Sequence, residues 1–254
     1  MAFDYDAEMR YLDPPYRAAL GLRGADHVLD VGCGSGRTTC DAAAVAVDGT
    51  VLGVDVSATR IDAARGRAAA EGLRNVAFEV ADAQTHAFAD AGFDLVMSRF
   101  GTMFFADPAA AFANLARATR PGGRLAMIVW QGRAANAWAG PLLDAVAGEV
   151  RERPDDGAFS LAAPEATRAL LTAAGFGAVE LTEVARPVWY GADADAALAA
   201  VLQLTEPRAE LARLGGDGDE QARALERLRD HVAAHATPDG VLFDARAWIV
   251  RARR

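Results

Sequence analysis

The chain has 254 residues, 52% of them hydrophobic, a formal net charge of −9 and only two cysteines. The apolar content suffices for the core of one elaborated domain spanning 1–254, and two cysteines exclude a disulfide framework or a zinc cluster. The acid surplus excludes a nucleic-acid partner, because such binders need a basic stripe to displace counterions.

From the N-terminus, Met1 to Arg23 reads as a helix carrying Tyr5, Tyr11 and Tyr16 and interrupted by Pro14-Pro15, a lid over residues 1–24. Its acids stand where a leader peptide has bases. No apolar run approaches the ~18 residues of a membrane span, so the expectation is a cytoplasmic protein with no membrane partner. Short apolar runs then alternate with helical patterns, which predicts a doubly wound α/β fold with a parallel sheet. Strands are expected at 26–31, 50–55, 76–81, 93–98 and 123–130, with helices at 36–47, 58–71 and 107–119, in a core of 25–130.

The densest signal lies where the first strand ends. Asp30-Val31-Gly32-Cys33-Gly34-Ser35-Gly36 places an acid before three alternating glycines and then a helical run. Backbone without side chains can approach a ligand closely there. A dinucleotide fingerprint, G-x-G-x-x-G, fails, since counting from Gly32 the third glycine falls on Arg37 and counting from Gly34 it falls on Thr39. An acid before the loop would repel a pyrophosphate and attract an ammonium or a sulfonium. Asp55 ends the second strand, where a carboxylate can accept both hydroxyls of a ribose diol.

With Gly92-Phe93-Asp94-Leu95-Val96 and the Arg120-Pro121-Gly122-Gly123 turn following in order, the chain resembles the class I S-adenosylmethionine-dependent methyltransferases. Ser98 to Pro108 looks like the small-molecule subgroup related to quinone biosynthesis. The resemblance implies a Rossmann-like seven-stranded sheet in the order 3-2-1-4-5-7-6, strand 7 antiparallel, with S-adenosyl-L-methionine as cofactor. It implies that Gly32, Cys33, Gly34 and Gly36 hold the methionine portion, with Asp30 toward its amino group. Asp82 and the Ala83 N–H would face the adenine, between Val56 and Arg60, although Arg60 replaces the apolar residue often found there. Arg99 would reach the cofactor, and Phe100, Phe104 and Trp130, with Tyr5 and Tyr11, the acceptor. Phe104 and Phe105 suit a plain core role equally.

Beyond the fifth strand, 131–160 and 192–236 read as helical inserts on the substrate half, either caps over a pocket or a homodimer face. A helix at 163–175, a sixth strand at 177–186 and a last strand at 241–250 complete the chain. Ala222, Leu225, Leu228 and Val232 form one apolar face. No metal site is expected: His231 and His235, spaced i,i+4, lack a third ligand. His86 follows the third strand on the cofactor side and is the one histidine placed to act as a base, though in-line methyl displacement needs none. The expected partner is a small-molecule acceptor, with methylation at a hydroxyl of an aromatic, quinone-like or secondary-metabolite compound. The rivals are a binding protein that senses the cofactor without turnover and a nicotinamide-dependent oxidoreductase, the latter lacking a Tyr-x-x-x-Lys pair in a chain without lysine.

Overall fold

The computed structural model describes residues 3–214 and 218–254; positions 1–2 of the lid and 215–217 of the second insert lie outside the described residues. In chain order the helices are α1 Tyr5–Glu8, α2 Asp13–Leu20, α3 Arg37–Val45, α4 Ala58–Ala70, α5 Pro108–Ala118, α6 Gly140–Ala147, α7 Pro164–Ala173, α8 Ala194–Val201, α9 Thr205–Arg213 and α10 Gly218–Ala233. The strands are β1 His27–Val31, β2 Thr50–Asp55, β3 Val76–Val80, β4 Phe93–Arg99, β5 Thr119–Trp130, β6 Gly177–Ala185, β7 Val188–Gly191, β8 Ala236–Thr237, β9 Gly240–Phe243 and β10 Arg246–Arg253. The chain forms two compact units: one holds 15–130, 156–183 and 247–254, the other 3–14, 131–155 and the described residues of 184–246.

The larger unit carries a seven-stranded sheet in the order β3-β2-β1-β4-β5-β10-β6. β1 pairs in parallel with β2 on one side and with β4 on the other, and β10 runs antiparallel to β5. The expected order and the antiparallel last strand are therefore observed. β1 and β4 are buried along nearly their whole length and β5 from Leu125 to Trp130, as central strands covered on both faces must be. Winding reverses between β1 and β4, and in open α/β sheets ligands bind beyond the carboxyl ends of the strands at that reversal.

Two local readings are corrected in this unit. Pro14-Pro15 does not interrupt a helix; both lie in the first turn of α2, where a missing N–H costs nothing. The Arg-Pro-Gly-Gly segment does not precede the fifth strand as a free turn. Phe93 faces Thr119 and Leu95 faces Arg124, so five steps of β5 match two of β4 and the segment is looped out as a bulge, with Gly122 at φ +76°.

In the smaller unit α6, α9, α10 and α8 pack together, and β7, β9 and β8 form a three-stranded antiparallel sheet that the sequence pattern did not reveal. The single last strand expected at 241–250 is two strands in two sheets, broken at Asp244-Ala245. α10 buries Ala224, Leu228 and Val232, so Ala224 replaces the exposed Ala222 on its apolar face.

Asn136 is this unit's buried polar anchor. Its Nδ2 donates to the carbonyls of Gln131 at 3.2 Å and Gly132 at 3.1 Å, while its Oδ1 accepts from the Arg246 N–H at 3.0 Å and the Trp138 Nε1–H at 3.3 Å. An amide alone supplies donors and acceptor on one planar group. Asn136→Ala should therefore destabilise by roughly 2 kcal/mol through stranded backbone groups, and Asn136→Asp by at least as much, because a carboxylate would face two carbonyls. Urea denaturation of each variant checks this.

Candidate cofactor site

The site is built at the carboxyl ends of β1, β2 and β4. After Val31 the chain turns as the Gly32 and Cys33 N–H groups both donate to the Val54 carbonyl, at 2.9 and 3.0 Å. The Gly36 N–H then donates to the Cys33 carbonyl at 3.0 Å, and α3 begins.

The three loop glycines do different work. At Gly32, φ +69°, a Cβ would lie 2.8 Å from the Gly101 Cα; at Gly36 it would lie 2.7 Å from the Ala64 Cβ. Both are required by the protein's own packing. At Gly34 the nearest atom to a built Cβ is Arg60 Nη1 at 3.8 Å. Only the middle glycine opens onto free space, a cradle that a side chain would fill.

Asp30 and Asp55 bracket this loop. Asp55 Oδ2 accepts from the Gly34 N–H at 3.0 Å and Oδ1 from the Ser57 N–H at 2.9 Å. Each oxygen keeps a second lone pair, so the carboxylate can fix the loop and still accept two hydroxyls. Asp30 is 1% exposed, beneath the loop, and accepts from the Thr39 hydroxyl at 2.7 Å. Burial pushes its pKa up to about 6, against the pull of the Thr39 hydrogen bond and the Arg99 charge, with the Asp55 charge adding a smaller push. The Cys33 thiol is pushed far up, by burial first and then by the charges of Asp30 and Asp55.

The sign of the Asp30 shift carries a prediction. A folded pKa above the unfolded 3.8 means that ionising Asp30 opposes folding, so its contribution to stability is full below that value and is lost as pH rises through about 6, a change of about 3 kcal/mol. Asp30→Asn should melt higher than the unsubstituted chain at pH 8 and show only about a third of that gain at pH 4.5. If Asp30 serves an ammonium, the same variant weakens cofactor binding at pH 8 by tenfold or more; melting curves and calorimetry at the two pH values read both effects.

Asp82 lies two residues past β3, one strand beyond Asp55, and its Oδ1 accepts from the Gln84 N–H at 2.9 Å. Ala83 is buried and Val56, 72% exposed, presents an apolar face to solvent beside Asp55. Arg60, in the first turn of α4, extends to the Gly34 side of the loop. Arg99 ends β4 close enough to act on the Asp30 charge.

Phe100 stands at φ +56° and stacks on Trp130, ring centroids 4.2 Å apart and planes 24° apart. Trp130 is buried behind it. Phe104 is 65% exposed and forms no enclosed wall, while Phe105 sits edge-on to Phe112 at 5.7 Å. The Tyr5 ring meets Phe3 edge-on at 4.8 Å within the smaller unit, Tyr11 is half-buried, and Tyr16 is a fully buried core residue of the larger unit. His86 has Nε2 3.5 Å from a Glu79 carboxylate oxygen and its ring against Phe88. Among the described residues no group of three or more His, Cys, Asp or Glu side chains could hold a metal, and no helix is long and apolar enough to cross a membrane.

Residues that sequence reasoning passed over are Thr39, which orients Asp30, and Ser98, whose hydroxyl joins the ends of β1 and β4. The only signal for either was a small hydroxyl inside an otherwise apolar stretch.

Comparison with known proteins decides the family. Residues 28–123 match the model of a methyltransferase domain. The nocamycin O-methyltransferase of Saccharothrix syringae is 34% identical over 207 residues, covering 72% of this chain and 73% of that protein. The chain belongs to the methyltransferase family. The open Gly34 cradle between the Asp30 and Asp55 carboxylates suits the ammonium and ribose hydroxyls of the S-adenosylmethionine that the sequence resemblance implies. An uncharacterized protein of Mycobacterium tuberculosis is 38% identical over 122 residues, 48% of this chain and 43% of that one, so the chain spans less than half the length of this relative. The YcgJ protein of Bacillus subtilis shares the fold seen here, with a TM-score of 0.63 at 20% identity over 96% of this chain and 97% of that one.

Proposed function

We propose that the protein transfers a methyl group from S-adenosylmethionine to a hydroxyl of a small aromatic, quinone-like or secondary-metabolite acceptor. The observation that carries this reading is the Asp55 carboxylate, tied to the Gly34 N–H with lone pairs to spare, beside the one loop glycine that opens onto space. When bound, S-adenosylmethionine supplies a methyl on a sulfonium, which an acceptor oxygen displaces in line, with S-adenosylhomocysteine as the second product.

The chain's own residues bind and orient. Asp55 accepts the ribose hydroxyls, Asp82 and the Ala83 N–H face the adenine beside Val56, and Arg60 lies along the loop. Asp30 supplies negative charge under the ammonium, and Arg99 matches the methionine carboxylate. The backbone of Gly32, Cys33, Gly34 and Gly36 shapes the floor. Because the methyl arrives activated, positioning supplies most of the acceleration, and the hydroxyl proton passes to bulk solvent as the products leave. His86, held by Glu79, is not needed as a base.

The nocamycin relative, by its name an O-methyltransferase, supports a hydroxyl acceptor. The Phe100–Trp130 stack supports a flat one, since aromatic faces bind each other in offset stacks. Calorimetry with S-adenosylmethionine, followed by S-adenosylhomocysteine release across a panel of phenols, quinols and hydroxylated polyketides, tests the reading. Absence of binding at millimolar cofactor would overturn it. Binding without turnover on any acceptor would point to a sensor of the cofactor instead.

A further inference from the structure

Phe100 holds a conformation that a bulky residue avoids, and its surroundings show what imposes it. A bulky side chain at positive φ is strained, and such strain persists only where neighbours over-determine it. Here they do. The Phe100 N–H donates to the Ile128 carbonyl at 3.0 Å. The next residue, Gly101, is pressed against the cofactor loop: a Cβ on it would lie 2.6 Å from the Val31 carbonyl oxygen and 2.9 Å from the Gly32 Cα. Ser98, fully buried, closes the arrangement, donating from its hydroxyl to the Val31 carbonyl at 2.7 Å and accepting from the Gly101 N–H at 3.2 Å.

One hydroxyl thus joins the carbonyl that opens the glycine loop to the amide that follows Phe100. On the far side Trp130 is fixed in turn. Its backbone N–H points at the Met103 sulfur at 3.5 Å, and the Met103 carbonyl accepts from the Ser160 hydroxyl at 2.6 Å. The glycine loop, Phe100 and Trp130 therefore form one continuous packed assembly across the ends of β1, β4 and β5.

We infer that Ser98 is a positioning residue: by locking Val31 to Gly101 it sets the glycine loop and the Phe100–Trp130 stack at a fixed spacing, so that the cofactor floor and the aromatic platform are held in register. This rests on the cofactor site proposed above. A serine is the side chain that does this, being short enough for the gap and able to donate and accept at one atom. Alanine would leave a buried carbonyl and a buried N–H without their partner.

The test uses the full chain with Ser98→Ala, Ser98→Cys and, as a spectral reference, Trp130→Phe. S-adenosylhomocysteine is titrated by calorimetry, the near-ultraviolet circular dichroism of the stack is recorded, and thermal melting reports the fold. Ser98→Ala should melt cooperatively, bind S-adenosylhomocysteine about tenfold more weakly, and lose the band that Trp130→Phe also loses. Ser98→Cys, with a weak donor of similar size, should fall between. Unchanged affinity and band in Ser98→Ala overturn the inference, and so does a lower melting temperature with affinity unchanged, the mark of a merely structural hydroxyl. If Ser98→Ala fails to fold, Ser98→Cys decides on the same readouts. Failure of the unsubstituted chain to bind the probe would sink the cofactor reading instead, and the band in Ser98→Ala would still report on the strut.

Discussion

Asp55→Ala should lower the affinity for S-adenosylmethionine by at least 100-fold. On the proposed role two charge-assisted hydrogen bonds to the ribose are lost, each worth roughly 1.5–3 kcal/mol, and about 1.4 kcal/mol is tenfold in binding. The variant also releases the Gly34 and Ser57 N–H groups that the carboxylate now holds, so the loop loses its tether with the ligand's anchor. Asp55→Asn should fare little better. An amide has one acceptor oxygen, and its NH2 would confront one of those two N–H donors. Calorimetry on both variants, with melting curves to confirm folding, decides the matter; an Asp55→Ala protein that binds within threefold of the unsubstituted chain would refute the ribose assignment.

The two glycines at the head of the loop should respond in opposite ways to one added methyl group. Gly32→Ala is expected to cost 3 kcal/mol or more in stability, because overpacking costs about 1–3 kcal/mol and a left-handed alanine about 1–2 more, and the clashing atom is the Gly101 backbone, which cannot swing aside. For a chain of this size that is a fall in melting temperature of roughly 6–12 °C. Gly34→Ala pays only the conformational part, about 1–2 kcal/mol, since its Cβ enters open space near Arg60. Its penalty should appear in cofactor affinity, as a loss of tenfold or more. If both variants melt alike and bind alike, the division of labour drawn between these positions is wrong.

The larger unit was legible because its strands are continuous apolar runs and its turns are marked by glycine and proline, both local signals. Strands expected at 50–55 and 93–98 are found at Thr50–Asp55 and Phe93–Arg99. What could not be read depends on partners remote in the chain. Nothing near Gly32 announces Gly101, nor anything near Gly36 announces Ala64, so three glycines that look alike in sequence part company only when packed. The small sheet escaped because strands of two to four residues leave no period to detect, and the last strand ran on past Asp244 because nothing in its composition marks the change of sheet. Thr39 and Ser98 went unselected for a related reason: a buried hydroxyl is defined by what it touches, nine residues away for Asp30 and 67 for Val31.

The condition of the two thiols has a practical consequence. Cys33 and Cys40 are both buried, and Cys40, shielded chiefly by burial, is pushed up to about 11 while Cys33 is driven higher still. The thiolate is the form that adds to a maleimide, so two buried thiols should give little background labelling near neutral pH. A single cysteine engineered on its surface would take a fluorophore or a spin label cleanly, with no need to replace either native residue beside the glycine loop.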